Sequence, residues 1–216
     1  MPLFLNEEIF PDVRLGIWAI SESSDDFWAL SPYVESSRSE FNALYKSEQR
    51  KCEVLAVRLL IKEIIGNNVQ LLHQDNGKPY LSSGMNISIS HTRGFAVIIV
   101  SHSKQVSVDI EYFSNRIERI RSKFMRDDEN ASSQVKLLMH WCAKETMYKL
   151  FPEDNLTFNK MQLLSVDGND STGIITAKNI FRNRNVSVYY RTFCNCLLTY
   201  ACLLYTSPSP RDRTRS

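Results

Sequence analysis

The stretch NISISHTRGFAVIIVSHSKQVSVDIE, Asn86–Glu111, decides the fold. NISIS alternates polar and apolar residues, the period of a strand with one buried face. FAVIIVS (Phe95–Ser101) is a continuous β-branched run, as in a strand covered on both sides. QVSVDIE (Gln105–Glu111) alternates again, with Val106 and Val108 on one beat and Asp109 and Glu111 on the next. The links HTRG and HSKQ are turn-length, so the three runs read as an antiparallel meander or pair of hairpins. The last run ends with two carboxylates on one face. Like charges at that range raise each other's pKa, so either both are solvated or a cation sits between them.

Upstream, LGIWAI (Leu15–Ile20) is a short apolar strand, and Ser39–Ile65 is helical in pattern, with a break near Lys46–Ser47. Gly66-Asn67-Asn68 stops it. In DNGKPYL (Asp75–Leu81) the Gly supplies positive φ and Pro79 forces Lys78 out of helix, so a turn leads into extended chain. Downstream, Gln134–Leu150 is a strong helix, with Leu137, Leu138, Trp141, Met147 or Tyr148, and Phe151 near one stripe. Pro152 ends it. MQLLSVD, GIITAKNI, VSVYYRTF and CLLTYACL then read as a second set of strands. The order suggests an α+β protein and is compatible with two similar halves, each a helix on an antiparallel sheet; no clean internal repeat is present, so a duplicated architecture does not follow from the sequence alone. Residues 1–104 form the first and 105–204 the second.

The 216 residues are 43% hydrophobic, with 26 basic and 24 acidic side chains, enough for one substantial core and ordinary for a globular chain. No apolar run reaches membrane-helix length. MPLFLNEEIFPDVR lacks a basic start and an apolar core, so no signal peptide is read and a cytoplasmic location is expected. Of the five cysteines, Cys194 and Cys196 are two apart in a strand-like run and are expected on one face, as buried thiols in preference to a metal site; a reduced state is expected. CLLYTSPSPRD (Cys202–Asp212) resembles one reading frame of a sequencing adaptor, and 205–216 reads as a non-native disordered tail. Its three Arg and one Asp account for the whole net charge of +2, so no nucleic-acid partner is inferred.

The P-loop, the dinucleotide-binding turn, GxSxG and HExxH are all absent, so phosphates would have to be handled by side chains and a metal. In HWCAKETMYKLF, Glu145 and Lys149 are four apart on one helix face, and Trp141 lies four before Glu145. Read by itself, that pair is a salt bridge on a solvated face worth a few tenths of a kcal/mol. If the helix docks by the strand end, Asp109, Glu111 and Glu145 become a three-carboxylate oxygen cage for Mg²⁺. Lys78 sits in the GKP turn, and His91 ends a strand that carries Ser88 and Ser90. A lone His is more often structural, but here a phosphate-binding rim competes. Arg50, Lys51 and Arg58 read as a solvated helix face.

With GKPYL (77–81), NISISH (86–91), VSVDIE (106–111) and WCAKETMYK (141–149) in this order, the chain resembles the 4′-phosphopantetheinyl transferases of the two-lobed surfactin-synthetase-activating type. The resemblance implies a pseudo-two-fold pair of lobes with coenzyme A in the cleft between them. It implies Mg²⁺-dependent transfer of the 4′-phosphopantetheine arm to a serine of an acyl or peptidyl carrier protein, with release of adenosine 3′,5′-bisphosphate, in fatty acid, polyketide or nonribosomal peptide biosynthesis. Asp109, Glu111 and Glu145 would hold the metal. Glu145 would take the serine proton, directly or through water. Lys149 would offset charge on the leaving phosphate, Ser90 and His91 would meet the 3′-phosphate, and Lys78 with Pro79 would line the adenosine pocket. Ser107 stands where the family has Gly. A monomer is expected, with no membrane or nucleic-acid partner. Two other readings remain: a catalytically idle adaptor binding coenzyme A or carrier protein, and a Mg²⁺-dependent phosphohydrolase.

Overall fold

The computed structural model describes residues 3–30, 38–75 and 77–204; the segment 205–216, read above as foreign, lies outside the described residues. The elements are β1 (Leu3–Phe10), β2 (Val13–Ala19), α1 (Ser24–Leu30), α2 (Arg38–Leu44), α3 (Glu48–Ile64), β3 (Leu71–His73), β4 (Pro79–Leu81), β5 (Asn86–Thr92), β6 (Phe95–Ser101), β7 (Lys104–Tyr112), α4 (Arg116–Arg119), α5 (Arg121–Phe124), α6 (Gln134–Leu150), β8 (Met161–Gly168), β9 (Thr172–Asn179), β10 (Arg184–Phe193) and β11 (Cys196–Leu204). The molecule is α+β, and every strand pairing is antiparallel.

One sheet runs β1-β2-β6-β5, another β7-β11-β10-β9-β8, and β3-β4 form a small third. The long helix α3 covers the first sheet. Leu55, Ala56, Leu59 and Leu60 pack on Trp18, Ile98 and Val100. Ser47 caps α3 by accepting from Arg50 N. The helix comes so close to β2 that a Cβ at Gly16 would lie 2.1 Å from Ile64 Cδ1. Helix α6 covers the larger sheet with Leu138, Cys142, Met147 and Leu150 against Val188, Leu197 and Ala201, and Ser133 caps it. Met147 is buried and Tyr148 exposed, which settles the open choice in the stripe. The uncovered faces of the two sheets close on each other: Val13, Leu15, Ile17, Val97 and Ile99 meet Val106, Val108, Ile110, Cys196 and Leu198.

The meander expected over 86–111 is only half correct. β5 and β6 form the hairpin, but β7 leaves and pairs with β11. β6 has no edge to offer, since β2 and β5 take both. The link turns away on Asp12, whose carboxylate accepts from Ser101 Oγ at 2.9 Å, Ser103 Oγ at 2.7 Å and Ser103 N at 2.8 Å. Cys194 and Cys196 do not share a face either. Cys194 and Asn195, with φ of 46° and 60°, are the two-residue hairpin turn between β10 and β11. Cys194 is therefore exposed and Cys196 buried. The expectation of buried thiols at both positions fails at Cys194.

The free edge of β7 faces β5, but the two strands are joined by side chains rather than a backbone ladder. The N–H groups of Val108, Ile110 and Tyr112 donate to the hydroxyls of Ser88, Ser90 and Thr92 at 3.2, 3.3 and 3.1 Å. The alternation of NISISHT thus has a use beyond burying Ile87 and Ile89. Its hydroxyls satisfy backbone donors that would otherwise be buried and unpaired.

Candidate active site

The seam between β5 and β7, roofed by α6, gathers the charged residues. Asp109 points from β7 toward α6. Its Oδ1 accepts from Lys149 Nζ at 2.8 Å and Ser90 Oγ at 2.9 Å. Lys149 also donates to Val108 O at 3.0 Å and Ile89 O at 3.4 Å, so one ammonium ties α6 to both strands. Asp109 Oδ2 is buried with no hydrogen-bond partner among the described residues. The solvated i,i+4 pair is not formed, because Lys149 pairs with Asp109 instead. Glu145 makes no hydrogen bond or ion pair among the described residues. Burial and the neighbouring Asp109 and Glu111 carboxylates, partly offset by Lys149, push its carboxyl up to about 7.

Glu111 is two residues along β7. Burial and Asp109 raise its pKa against a hydrogen bond from Trp141 Nε1 at 3.2 Å. Trp141 is itself wedged edge-on against Phe124, with ring centroids 5.3 Å apart, and beside Phe158 at 5.5 Å. Cys142, fully buried under the carboxylates, has its thiol pushed well up by burial and Asp109. Ser107 is also buried, its Oγ without a hydrogen-bond partner among the described residues.

His91 follows Ser90 on β5 and turns toward α3. Its Nδ1 lies 3.2 Å from Glu53 Oε2, which also accepts from Arg50 Nη1 at 3.2 Å. Arg50 therefore does not belong to an idle solvated face. Nor do the other two: Lys51 and Arg58 are half-buried, Lys51 lying 3.9 Å from Glu48 and Arg58 over the Phe41 ring at 5.2 Å. Lys78 and Pro79, both half-buried, lie at the start of β4, the small-sheet strand that runs against β5.

Lys144, next to Glu145 in sequence, points the other way. It is fully buried, donating to Phe124 O at 2.7 Å and Glu129 Oε2 at 2.5 Å. Burial works against Glu129, but the His140 ring, the Lys144 ammonium and the N–H groups of Leu163 and Arg126 hold its carboxyl down at about 2. This pair fastens the segment before α6 and takes no part in the seam.

The sequence reading did not include Glu53. The signal was there: an acid one position from Cys52, whose helical neighbours Ala56, Val57 and Leu60 are all buried. A carboxylate at such a position needs a partner.

Among the described residues, no three His, Cys, Asp or Glu side chains form a group that could hold a metal. Asp109 Oδ2 nevertheless fits a hard cation, being a buried oxygen without a hydrogen-bond donor among the described residues. Asp109 and Glu111 lie near enough to Glu145 to raise its pKa by charge, and Asp109 does the same to Glu111. No family model matches the chain, and no curated protein matches it.

Proposed function

We propose that the chain transfers the 4′-phosphopantetheine arm of coenzyme A to a serine of an apo carrier protein, as a two-lobed 4′-phosphopantetheinyl transferase whose lobes are the two sheet-and-helix halves. The observation that carries this reading is the Asp109–Lys149 pair on the β5–β7 seam, with Glu111 and Glu145 beside it. Three of the four quoted motifs, NISISH, VSVDIE and WCAKETMYK, supply side chains to that seam. Coenzyme A would lie along it, its phosphates toward Lys149, Ser90 and His91 and its adenosine toward Lys78 and Pro79.

The reaction forms a bond between the serine oxygen and the phosphorus bearing pantetheine, and breaks that phosphorus's bond to the oxygen of adenosine 3′,5′-bisphosphate. The serine proton passes to Glu145, directly or through a water. Once it holds a metal its carboxylate is a weak base, so the water relay is the easier route. Lys149, held in place by two carbonyls and Asp109, bears the positive charge that balances the leaving phosphate. Mg²⁺, when bound, would neutralise the pyrophosphate; Asp109 through Oδ2, Glu111 and Glu145 are the residues to hold it. The reading carries with it a monomeric, cytoplasmic enzyme.

The test is product analysis by chromatography. Adenosine 3′,5′-bisphosphate is expected only when coenzyme A, Mg²⁺ and an apo carrier protein are all present. Release without carrier would point to a phosphohydrolase. The adaptor reading has one observation in its favour: the carboxylates do not meet as a metal-holding group among the described residues. Coenzyme A binding with no product would sustain it.

A further inference from the structure

Two of the three seam carboxylates have one oxygen already occupied. Asp109 Oδ1 accepts from Ser90 Oγ at 2.9 Å and from Lys149 Nζ at 2.8 Å, which fills both its lone pairs. Asp109 Oδ2 is buried and has no hydrogen-bond donor among the described residues. Ser90 is itself fixed and only 7% exposed. Its oxygen accepts from Ile110 N at 3.3 Å, and its one hydroxyl proton goes to Asp109. On Glu111, Oε1 accepts from Trp141 Nε1 at 3.2 Å, and Oε2 makes no hydrogen bond or ion pair among the described residues. The indole is held in place by Phe124 and Phe158, at centroid distances of 5.3 and 5.5 Å. Each donor comes from a different element than the acid it holds: Ser90 from β5 and Trp141 from α6, with both acids on β7.

We propose that Ser90 and Trp141 are positioning residues that make Asp109 and Glu111 single-oxygen ligands, through Oδ2 and Oε2, and so set the preference of the seam for Mg²⁺ over Ca²⁺. The need for a metal comes from the transferase reading, on which the proposal rests. The coordination habits of the two ions decide the sign. Ca²⁺ gathers about six to eight oxygens in a loose shell and often takes both oxygens of one carboxylate. Mg²⁺ is smaller, demands an octahedron, keeps several of its waters and binds through one or two carboxylates. An acid whose second oxygen is held by a fixed donor therefore satisfies Mg²⁺ and falls short for Ca²⁺. To chelate Ca²⁺, Asp109 must give up the bond from Ser90, and Glu111 the bond from Trp141. Glu145 has no such donor among the described residues, so the discrimination lies in the β7 pair.

Electron paramagnetic resonance of Mn²⁺ added to the metal-free protein, with displacement by Mg²⁺ and separately by Ca²⁺, reads both affinities without turnover. The native chain is expected to bind Mg²⁺ more tightly than Ca²⁺. In Ser90→Ala, and in Trp141→Phe, which keeps a ring against Phe124 and Phe158, the ratio of the two affinities is expected to fall roughly tenfold, the scale of one hydrogen bond to a charged group. Ser90→Thr restores the hydroxyl and should restore the ratio. Ser88→Ala removes the neighbouring rung, below Val108 N, and touches no acid; it should lower stability with the ratio unchanged, which a merely structural role for Ser90 would not predict. Trp141→Phe decides the matter if Ser90→Ala does not fold. An unchanged ratio in either folded variant would overturn the role given to that residue. A native chain that prefers Ca²⁺, or that binds none of the three ions, would overturn the whole proposal. The transferase reading is judged apart, by release of adenosine 3′,5′-bisphosphate: a chain that shows the shifted ratios and releases none keeps the ion preference and loses that reading.

Discussion

Glu145 is costly to the fold that holds it. Its folded pKa is raised from 4.5 to about 7, so the folded chain binds that proton more tightly than the unfolded one. The cost is absent below about pH 4.5, grows as pH rises and is complete above about 7. It amounts to about 2–3 kcal/mol, discounted for partial exposure. Glu145→Gln mimics the neutral acid. In metal-free protein at about pH 8 it is expected to raise Tm by roughly 4–8 °C while abolishing transfer. At about pH 5 the gain should vanish, because the native acid is then neutral. Thermal scans at both values check this, and equal Tm at the higher pH would contradict the charge crowding at the seam. Mg²⁺ should stabilise the native chain more than the Glu145→Gln variant. The sequence displayed the acids and their spacing. It did not display that Lys149 bonds Asp109 rather than Glu145, because that choice is made by the approach of α6 to β7.

At the scale of elements, the hydroxyl rungs of β5 are the most exacting feature. Ser88→Ala leaves Val108 N–H buried without an acceptor, a loss of about 1–3 kcal/mol. Ser90→Ala should cost more than Ser88→Ala, since Ser90 also donates to Asp109; urea unfolding of both variants tests the order. Lys144→Met would strand a buried carboxylate, at a cost of about 3–5 kcal/mol, with kcat unchanged in whatever protein remains folded. Loss of turnover at full stability would contradict the structural role given to Lys144. Most of these elements were legible. The run from Phe95 to Ser101 and the helix from Gln134 to Leu150 have the bounds read from the sequence. β1 was not read, because LFLNEEIF is an exposed edge strand with a bulge and central charges, and periodicity fails there. α1, α4 and α5 are only 7, 4 and 4 residues long, too short for a helical period to register.

The whole molecule depends on the core between the two sheets, which the seam requires to keep β5 against β7. Contacts at its rim reinforce it: Phe4 stacks on Phe193 with centroids 5.3 Å apart, and Arg191 reaches Glu7 at 2.9 Å. Ile99→Ala, at a fully buried position in that core, should cost about 2–5 kcal/mol. Fluorescence and circular dichroism should still report one shared transition, because neither half keeps its inner face covered alone; two separate transitions would contradict this. How the halves close was not legible, since the face of a strand that meets another sheet carries the same Val and Ile pattern as one that meets a helix. The residues of the site were legible as types and order, and their pairing was not. The central claim is best tested by intact-mass spectrometry of an apo acyl carrier protein incubated with this chain, coenzyme A and Mg²⁺. A gain of one phosphopantetheine arm, lost with Glu145→Gln, is the predicted result. An unchanged carrier mass with several apo carriers, from protein shown to be folded, would contradict it.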